Sequence, residues 1–439
     1  MITASPPGRW IGFIFGSLTA SFVVFGAGLV SGIIAARALG PEGRGILAVV
    51  LTLGNTLVSL VQIPISDAVI LQKGSSPSGG SAVERASVVM ARNLSLILAP
   101  VCATVMFFIM SSYGGIPTIP AVMFVAAMTA LGIIGDVYRG ILRSRGEFYL
   151  LQIFFVMQPL IYCLLCGVLA MYKAPVSYFI VAQTGSIIIV FLVRGGIVRV
   201  PKSGVEHWPI IKKLFEIALP VHGIGIVRMF TAQADRLAVV WLSQSEVVGL
   251  YSVAVTVSSL FVGMFSTAIR SVTLPALVQR KEPELARVII RMLRLTWVAS
   301  LAGGLLTCVV CPILVPVLFG KEFSSSSNMI YLLSLSVVLN SARDILCEVC
   351  KIYGMNRIVL AGNLVFLGAF CPMSVGLFNV VGVYGIIIAG TFSNFASTVY
   401  ISKKVEKLVP AVSIKTWIFP TSATVKDLVL MVRNFAFRR

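Results

Sequence analysis

The stretch that decides the fold is Leu214–Leu242, LFEIALPVHGIGIVRMFTAQADRLAVVWL, which is long and apolar enough to cross a bilayer as a helix. It nevertheless carries Arg228, Asp235 and Arg236 well inside its length. A charge inside a bilayer costs from a few to about 10 kcal/mol and persists mainly where it faces a partner or a water-filled cavity. At about 100° per residue, these three residues share one stripe of the helix. The stretch therefore predicts a transmembrane helix that lines something polar, with an Arg–Asp pair that only fixes helix packing as the alternative.

The composition extends this interpretation to the whole chain. Hydrophobic residues make up 58% of the 439 residues and charged residues only 12%, which excludes an ordinary soluble domain and predicts a polytopic membrane protein. A net charge of +19 would suggest nucleic acid in a soluble chain, but here basic loops on one membrane face explain it. We therefore expect no nucleic-acid partner.

The cysteines predict neither a metal site nor a cofactor. Six of the eight form three C-x-x-C pairs in or near apolar spans, namely Cys163/Cys166, Cys308/Cys311 and Cys347/Cys350. The chain has only two histidines, and a spacing of three residues in a membrane helix is typical of small core residues.

Hydropathy predicts twelve membrane spans. They are 11–36, 45–71, 87–110, 120–142, 150–171, 176–194, 214–242, 247–277, 295–318, 329–351, 358–378 and 382–401. The first span carries Gly28-x-x-x-Gly32, a small-residue face that favours close helix packing.

The distribution of Lys and Arg between the loops predicts the orientation. Most of the 35 basic residues lie in the N-terminus, the even-numbered loops and the C-terminal tail. Only four lie on the opposite face, namely Arg37, Arg44, Lys173 and Lys321. Because cytoplasmic loops carry the excess of positive charge, we expect a multi-pass protein with both termini in the cytoplasm.

Internal repeats predict two halves of six spans. Asp136, Arg143 and Gly146 recur as Asp344, Lys351 and Gly354, and two further matches follow at a nearly constant offset. An even number of spans per repeat gives both halves one orientation, as in alternating-access carriers with a parallel repeat. The predicted divisions are a lobe over 1–194, a cytoplasmic linker over 195–213, a lobe over 214–401 and a basic amphipathic cytoplasmic tail over 402–439.

Charged residues within the spans are the candidate site residues. The substrate-binding candidates, which would form a cationic cavity, are Arg228, Arg236, Arg270 and Arg343. The candidates for gating or ion coupling are Asp67, Asp136, Asp235, Asp344 and Glu348.

These candidates differ in what their positions predict. Arg228 lies roughly 21 Å along its span, near mid-depth, where a guanidinium suits a phosphate group. Asp67 and Arg270 hold nearly equivalent places in the two halves, and we expect them to approach each other at a cytoplasmic gate. Asp136 and Asp344 have helix-end charge pairs as the structural alternative.

Two stretches carry a resemblance to a known family. Ala35–Gly45, AARALGPEGRG, and Asp235–Ala254, DRLAVVWLSQSEVVGLYSVA, resemble the span 1–2 and span 7–8 signatures of bacterial polysaccharide-repeat flippases. These O-antigen and capsule translocases belong to the multidrug/oligosaccharidyl-lipid/polysaccharide exporter superfamily. The resemblance implies an all-α integral membrane fold, similar to that of the multidrug exporters, with twelve helices in two pseudo-symmetric six-helix bundles around a cationic cavity.

The same resemblance implies a transporter rather than an enzyme. It would move an undecaprenyl diphosphate-linked oligosaccharide across the bacterial inner membrane by alternating access. The expected partners are that lipid-linked oligosaccharide, membrane lipids and a polysaccharide polymerase or chain-length regulator. A cation-coupled multidrug antiporter is the closest rival, with a membrane glycosyltransferase, polymerase or ligase, or a scaffold, as weaker alternatives.

Overall fold

The computed structural model describes residues 7–75, 80–113, 115–200, 208–278, 284–407, 409–410, 412–413 and 416–417, and the regular elements in these ranges are all helical. The α-helices are α1 Pro7–Val61, α2 Ile65–Ser75, α3 Gly80–Ser112, α4 Thr118–Arg145, α5 Phe148–Met171, α6 Val176–Ile197, α7 Trp208–Leu242, α8 Ser245–Val278, α9 Glu284–Phe319, α10 Ser326–Ile352, α11 Asn356–Val381 and α12 Val383–Glu406. The predicted all-α fold is therefore confirmed.

The length and hydropathy of its helices make this a multi-pass membrane protein. Within the described residues, nine helical stretches are long and apolar enough to cross a membrane. One of them, Thr19–Lys73, contains the second predicted span, 45–71, and all of the first, 11–36, from residue 19 onward. The 35-residue α7 is not among the nine.

Helix α1 contains two helices joined at one residue. Gly40 has φ 68° and ψ −178°, a left-handed φ that glycine adopts without a steric penalty. Pro41 follows, and proline is tolerated in the first turn of a helix because that turn needs no N–H donor. The loop expected between the first two spans is thereby reduced to a single glycine.

The described residues divide into two compact units, with the boundary inside α7 between Gln233 and Ala234. In the first unit, α4 is the central helix and contacts α1, α2, α3, α5 and α6. A core of buried apolar side chains lies around α4 and includes Ile65, Ile133, Phe154 and Leu214, which come from α2, α4, α5 and α7. The first part of α7 therefore packs into the first unit.

The second unit is built in the same way around α10, which contacts α8, α9, α11 and α12. After α12, the chain returns to this core, where Val409, Val412 and Trp417 are buried. The Trp417 ring packs edge-on against Trp297, with 5.7 Å between the ring centroids. Residues 418–439, the rest of the predicted amphipathic tail, lie outside the described residues, and the predicted domain boundaries stay predictions.

Candidate functional site

A cavity of about 310 Å³ opens inside the first unit among membrane-spanning helices. Its walls come from both parts of α1, from α5 and from α6. The lining residues are Gly28, Ser31, Gly32, Arg44, Leu51, Gln158, Pro159, Tyr162 and Gln183.

The sequence of α1 creates this space. Gly28 has no heavy atom within 4 Å of the place where a Cβ would stand, and at Gly32 the nearest atom is Nη2 of Arg44, at 3.9 Å. Two glycines on one face thus leave a gap that the Arg44 side chain borders. The predicted packing face Gly28-x-x-x-Gly32 instead forms a wall of the cavity.

The cavity extends along both parts of α1 from the break at Gly40. Arg44 lies about 6 Å beyond Gly40 along the helix, and Gly28 lies about 18 Å before it, at 1.5 Å per residue. The predicted spans place Gly40 in the loop between the first two, so with a hydrocarbon core about 30 Å thick they predict that the far wall lies near mid-depth.

The lining combines one positive charge with neutral hydrogen-bonding groups. Arg44 is the one charged residue among the described residues of the lining, and Gln158, Tyr162 and Gln183 add two amides and a phenol. Oε1 of Gln183 is buried and has no hydrogen-bond partner within the described part of the chain. A guanidinium binds phosphate or carboxylate oxygens, while amide and phenol groups exchange hydrogen bonds with hydroxyls. This arrangement suits a ligand that is both anionic and rich in hydroxyl groups.

The sequence did not single out these residues. Hydropathy places Arg44 in a loop, because the second predicted span begins at position 45. Gln158 and Gln183 lie within strongly apolar spans, and polar side chains inside a membrane segment are a signal of function. These two glutamines are therefore the sequence signal that points to the cavity.

The predicted residues of α7 lie on exposed and half-buried positions. Arg228 and Arg236 are exposed, and Arg228 belongs to the first unit whereas Arg236 belongs to the second. Asp235 is half-buried and accepts a hydrogen bond of 2.7 Å from the Tyr251 hydroxyl of α8.

The remaining candidates of the second unit lie on α8 and α10. Arg343 is buried, with its guanidinium carbon 5.3 Å from the centre of the Phe366 ring, a cation–π contact. Asp344 and Glu348 are half-buried on the same helix. Arg270 belongs to α8, but its side chain lies outside the described residues.

The acidic candidates of the first unit differ in environment. Asp67 is exposed in the first turn of α2. Asp136 is buried, accepts a hydrogen bond of 2.9 Å from the backbone N–H of Ser66, and pairs with Arg139 at 3.1 Å. Asp136 therefore stabilises the N-terminus of α2, where the helix dipole favours a negative charge. The expected approach of Asp67 to Arg270 stays a prediction.

Comparisons with known proteins support one class. The family model "Polysaccharide biosynthesis protein" matches residues 34–328. The lipid II flippase MurJ, in an inward closed conformation, is similar in fold with a TM-score of 0.73 and 13% identity, covering 96% of this chain and 98% of that chain. An inward-facing multidrug resistance MATE family transporter of the MOP superfamily gives 0.69 and 16%, covering 88% and 95%.

A third structure, a MOP superfamily transporter from Pyrococcus furiosus described by the reverse polarity of its binding pocket, gives a TM-score of 0.63 and 14% identity, covering 91% of this chain and 96% of that chain. No curated protein matches this chain in sequence. The class is thus a multi-pass helical membrane protein with the fold shared by MOP-superfamily transporters and flippases. The chain belongs to the polysaccharide biosynthesis protein family, and the resemblance seen in the sequence is confirmed.

Proposed function

We propose that this protein is a flippase that moves a lipid diphosphate-linked oligosaccharide across the bacterial cytoplasmic membrane during synthesis of a surface polysaccharide. Membership of the polysaccharide biosynthesis family supports the pathway, and the fold shared with transporters and flippases supports translocation. The observation that carries the choice of cargo is the cavity of the first unit, in which Arg44 stands among Gln158, Tyr162 and Gln183.

The physical problem of such a cargo lies in its headgroup. A charged group costs several kcal/mol or more in hydrocarbon, and each unpaired hydroxyl adds to that cost. The prenyl tail is apolar and stays in the lipid, so only the diphosphate and the sugars need a polar path. A guanidinium replaces part of the phosphate hydration through paired N–H···O bonds, and the glutamines and the tyrosine do the same for sugar hydroxyls.

The charged residues within the predicted spans act on the same cargo along the transport path. Arg228, Arg236, Arg270 and Arg343 serve as further cationic contacts for the diphosphate. Asp67, Asp136, Asp235, Asp344 and Glu348 serve gating or coupling, and of these Asp136 also has the structural role described above. Both termini lie in the cytoplasm, and the headgroup moves outward as its site opens alternately to the two sides.

A cation-coupled multidrug antiporter is the rival function, because MATE transporters share the fold. A cationic drug would favour a carboxylate in its binding cavity. The described lining of the cavity presents an arginine in that role, which favours an anionic cargo.

The test is transport by the purified protein in liposomes that contain a lipid diphosphate-linked oligosaccharide, followed by accessibility of the glycan to an impermeant glycosidase. Wild type should accelerate transfer over empty liposomes. Arg44→Ala should lower the rate about 10- to 100-fold, because a hydrogen bond to a charged group contributes about 1.5–3 kcal/mol and each 1.4 kcal/mol is tenfold.

Arg92→Ala is the matched control, since Arg92 is an exposed arginine of the same unit that does not line the cavity. Its rate should equal that of wild type. Arg44→Lys should restore part of the rate, because it keeps the charge and loses the forked geometry. Wild-type transfer no faster than in empty liposomes, under an imposed potential and ion gradient, would reject the proposed function.

A further inference from the structure

The break at the end of α1 deprives the Leu60 carbonyl of its helical donor. Helix α1 stops at Val61, and α2 begins at Ile65. In a continuous helix the carbonyl of Leu60 would accept the N–H of residue 64, but that residue is Pro64, which has none. An unpaired carbonyl inside a membrane costs several kcal/mol, so this group needs another donor.

His222 of α7 supplies that donor. Its ring Nε2 lies 3.0 Å from the carbonyl oxygen of Leu60. Because a carbonyl oxygen only accepts hydrogen bonds, the ring must carry its proton on Nε2 to make this contact. The geometry therefore assigns both the donor and the tautomer of the histidine.

Two contacts from α4 hold the other side of the break. The N–H of Ser66 donates to Oδ2 of Asp136 at 2.9 Å, and the side-chain amide of Gln62 donates to the carbonyl of Gly132 at 3.2 Å. The break is thus fixed by side chains on either side of it, and His222 is the contact that comes from α7.

We propose that His222 is a positioning residue, which locks the first part of α7 to the broken end of α1 through the carbonyl that Pro64 leaves without a donor. Arg228 lies six residues further along α7, about 9 Å at 1.5 Å per residue. Helix α1, in turn, forms a wall of the cavity through Leu51 and Arg44. This hydrogen bond therefore fixes the part of α7 that carries Arg228 relative to α1, which forms a wall of the cavity.

The first experiment uses thermal unfolding of the purified full chain, which needs no substrate. His222→Phe keeps a ring but removes the donor, and it should lower the melting temperature by several degrees. His222→Gln keeps an N–H donor and should restore most of that loss. Equal loss with Phe and Gln would overturn the proposal, because the donor would then be irrelevant.

A double-mutant cycle tests the part assigned to Pro64. Pro64→Ala returns an N–H to position 64 and allows α1 to extend to that residue, which gives the Leu60 carbonyl a donor within its own helix. His222→Phe should therefore cost less in the Pro64→Ala protein than in wild type. The same cost in both backgrounds would contradict the proposal. If Pro64→Ala does not fold, the proposal is tested by comparing His222→Phe with His222→Gln and by the tautomer of His222.

The tautomer of His222 can be measured directly by NMR. A general loss of packing would not change which ring nitrogen carries the proton. The chain has two histidines, so ¹⁵N-histidine labelling yields two ring systems, and His207→Gln assigns them. The His222 ring should carry its proton on Nε2, whereas a neutral ring protonated on Nδ1 alone could not donate to Leu60 and would overturn the proposal.

In the liposome assay, at equal amounts of folded protein, His222→Phe should slow transfer and His222→Gln should restore it. Transport by His222→Phe at the wild-type rate would overturn the positioning role. Failure of the wild-type protein to transport would instead bear on the proposed function and leave the unfolding and tautomer results valid.

Discussion

The sharpest stability prediction concerns Glu84, which joins three elements of the first unit. Its side chain is 4% exposed and accepts hydrogen bonds from Lys73 Nζ at 2.7 Å and from Arg145 Nη2 at 2.5 Å. Nη2 of Arg145 also donates to the carbonyl of Arg199 at 2.9 Å, so the cluster ties α2, α3 and α4 to the segment that follows α6. Glu84→Gln removes the negative charge and leaves both cations in place.

The magnitude follows from the burial of the partners. Removing one member of a fully buried ion pair costs about 3–5 kcal/mol. Lys73 and Arg145 are 23% and 24% exposed, so water screens the stranded cations and the cost falls to about 2 kcal/mol. For a unit of this size, that loss lowers the melting temperature by about 4–8 °C.

The assay is thermal unfolding in detergent, followed by size-exclusion chromatography with tryptophan fluorescence. Glu147→Gln is the matched control, because Glu147 is 40% exposed and its carboxylate lies 4.0 Å from Arg145. An exposed pair contributes less than about 1 kcal/mol, so the control should melt close to wild type. Equal shifts for the two variants would refute the assignment of Glu84 as a buried tie.

Further predictions rest on close packing. Gly140→Ala should destabilise the first unit, because the new Cβ would stand 2.7 Å from a backbone Cα of α2. Gly132→Ala is its control in the same melting assay. No heavy atom lies within 4 Å of a Cβ at that position, so this variant should be neutral or stabilising. Trp417→Ala should cost about 3–5 kcal/mol, because this ring is buried in the core of the second unit. Trp241→Ala, at a position 68% exposed, is its control, and a similar melting temperature for both tryptophan variants would contradict the packing of the C-terminal segment.

Hydropathy predicted most of the architecture, because it depends on many residues at once. The all-α fold, the membrane class and the family were all within reach of the sequence. A local feature was harder to predict, as the turn at Gly40 illustrates. One glycine in a left-handed conformation followed by Pro41 replaces the whole predicted loop. Arg44, predicted to lie in that loop, therefore lies in the helix and lines the cavity.

The candidate site was predicted less completely than the fold. Charges within the predicted spans indicate polar surfaces on α7 and α10, but periodicity does not show which helices enclose a cavity. Gln158 and Gln183 come from different helices and meet Arg44 only through tertiary packing. Asp136 illustrates the converse, since a carboxylate within a span suggested coupling while its contacts with Ser66 and Arg139 also give it a structural role.

The measurement that tests the central claim most directly is equilibrium binding of two ligands to purified wild type and Arg44→Ala. One ligand is a lipid diphosphate-linked oligosaccharide and the other a lipophilic aromatic cation. The account predicts that wild type binds the oligosaccharide lipid, that Arg44→Ala weakens this binding about tenfold or more, and that the cation does not compete. Tight binding of the cation, with no loss of oligosaccharide-lipid affinity in Arg44→Ala, would contradict an anion-selective cavity and favour the drug–cation function.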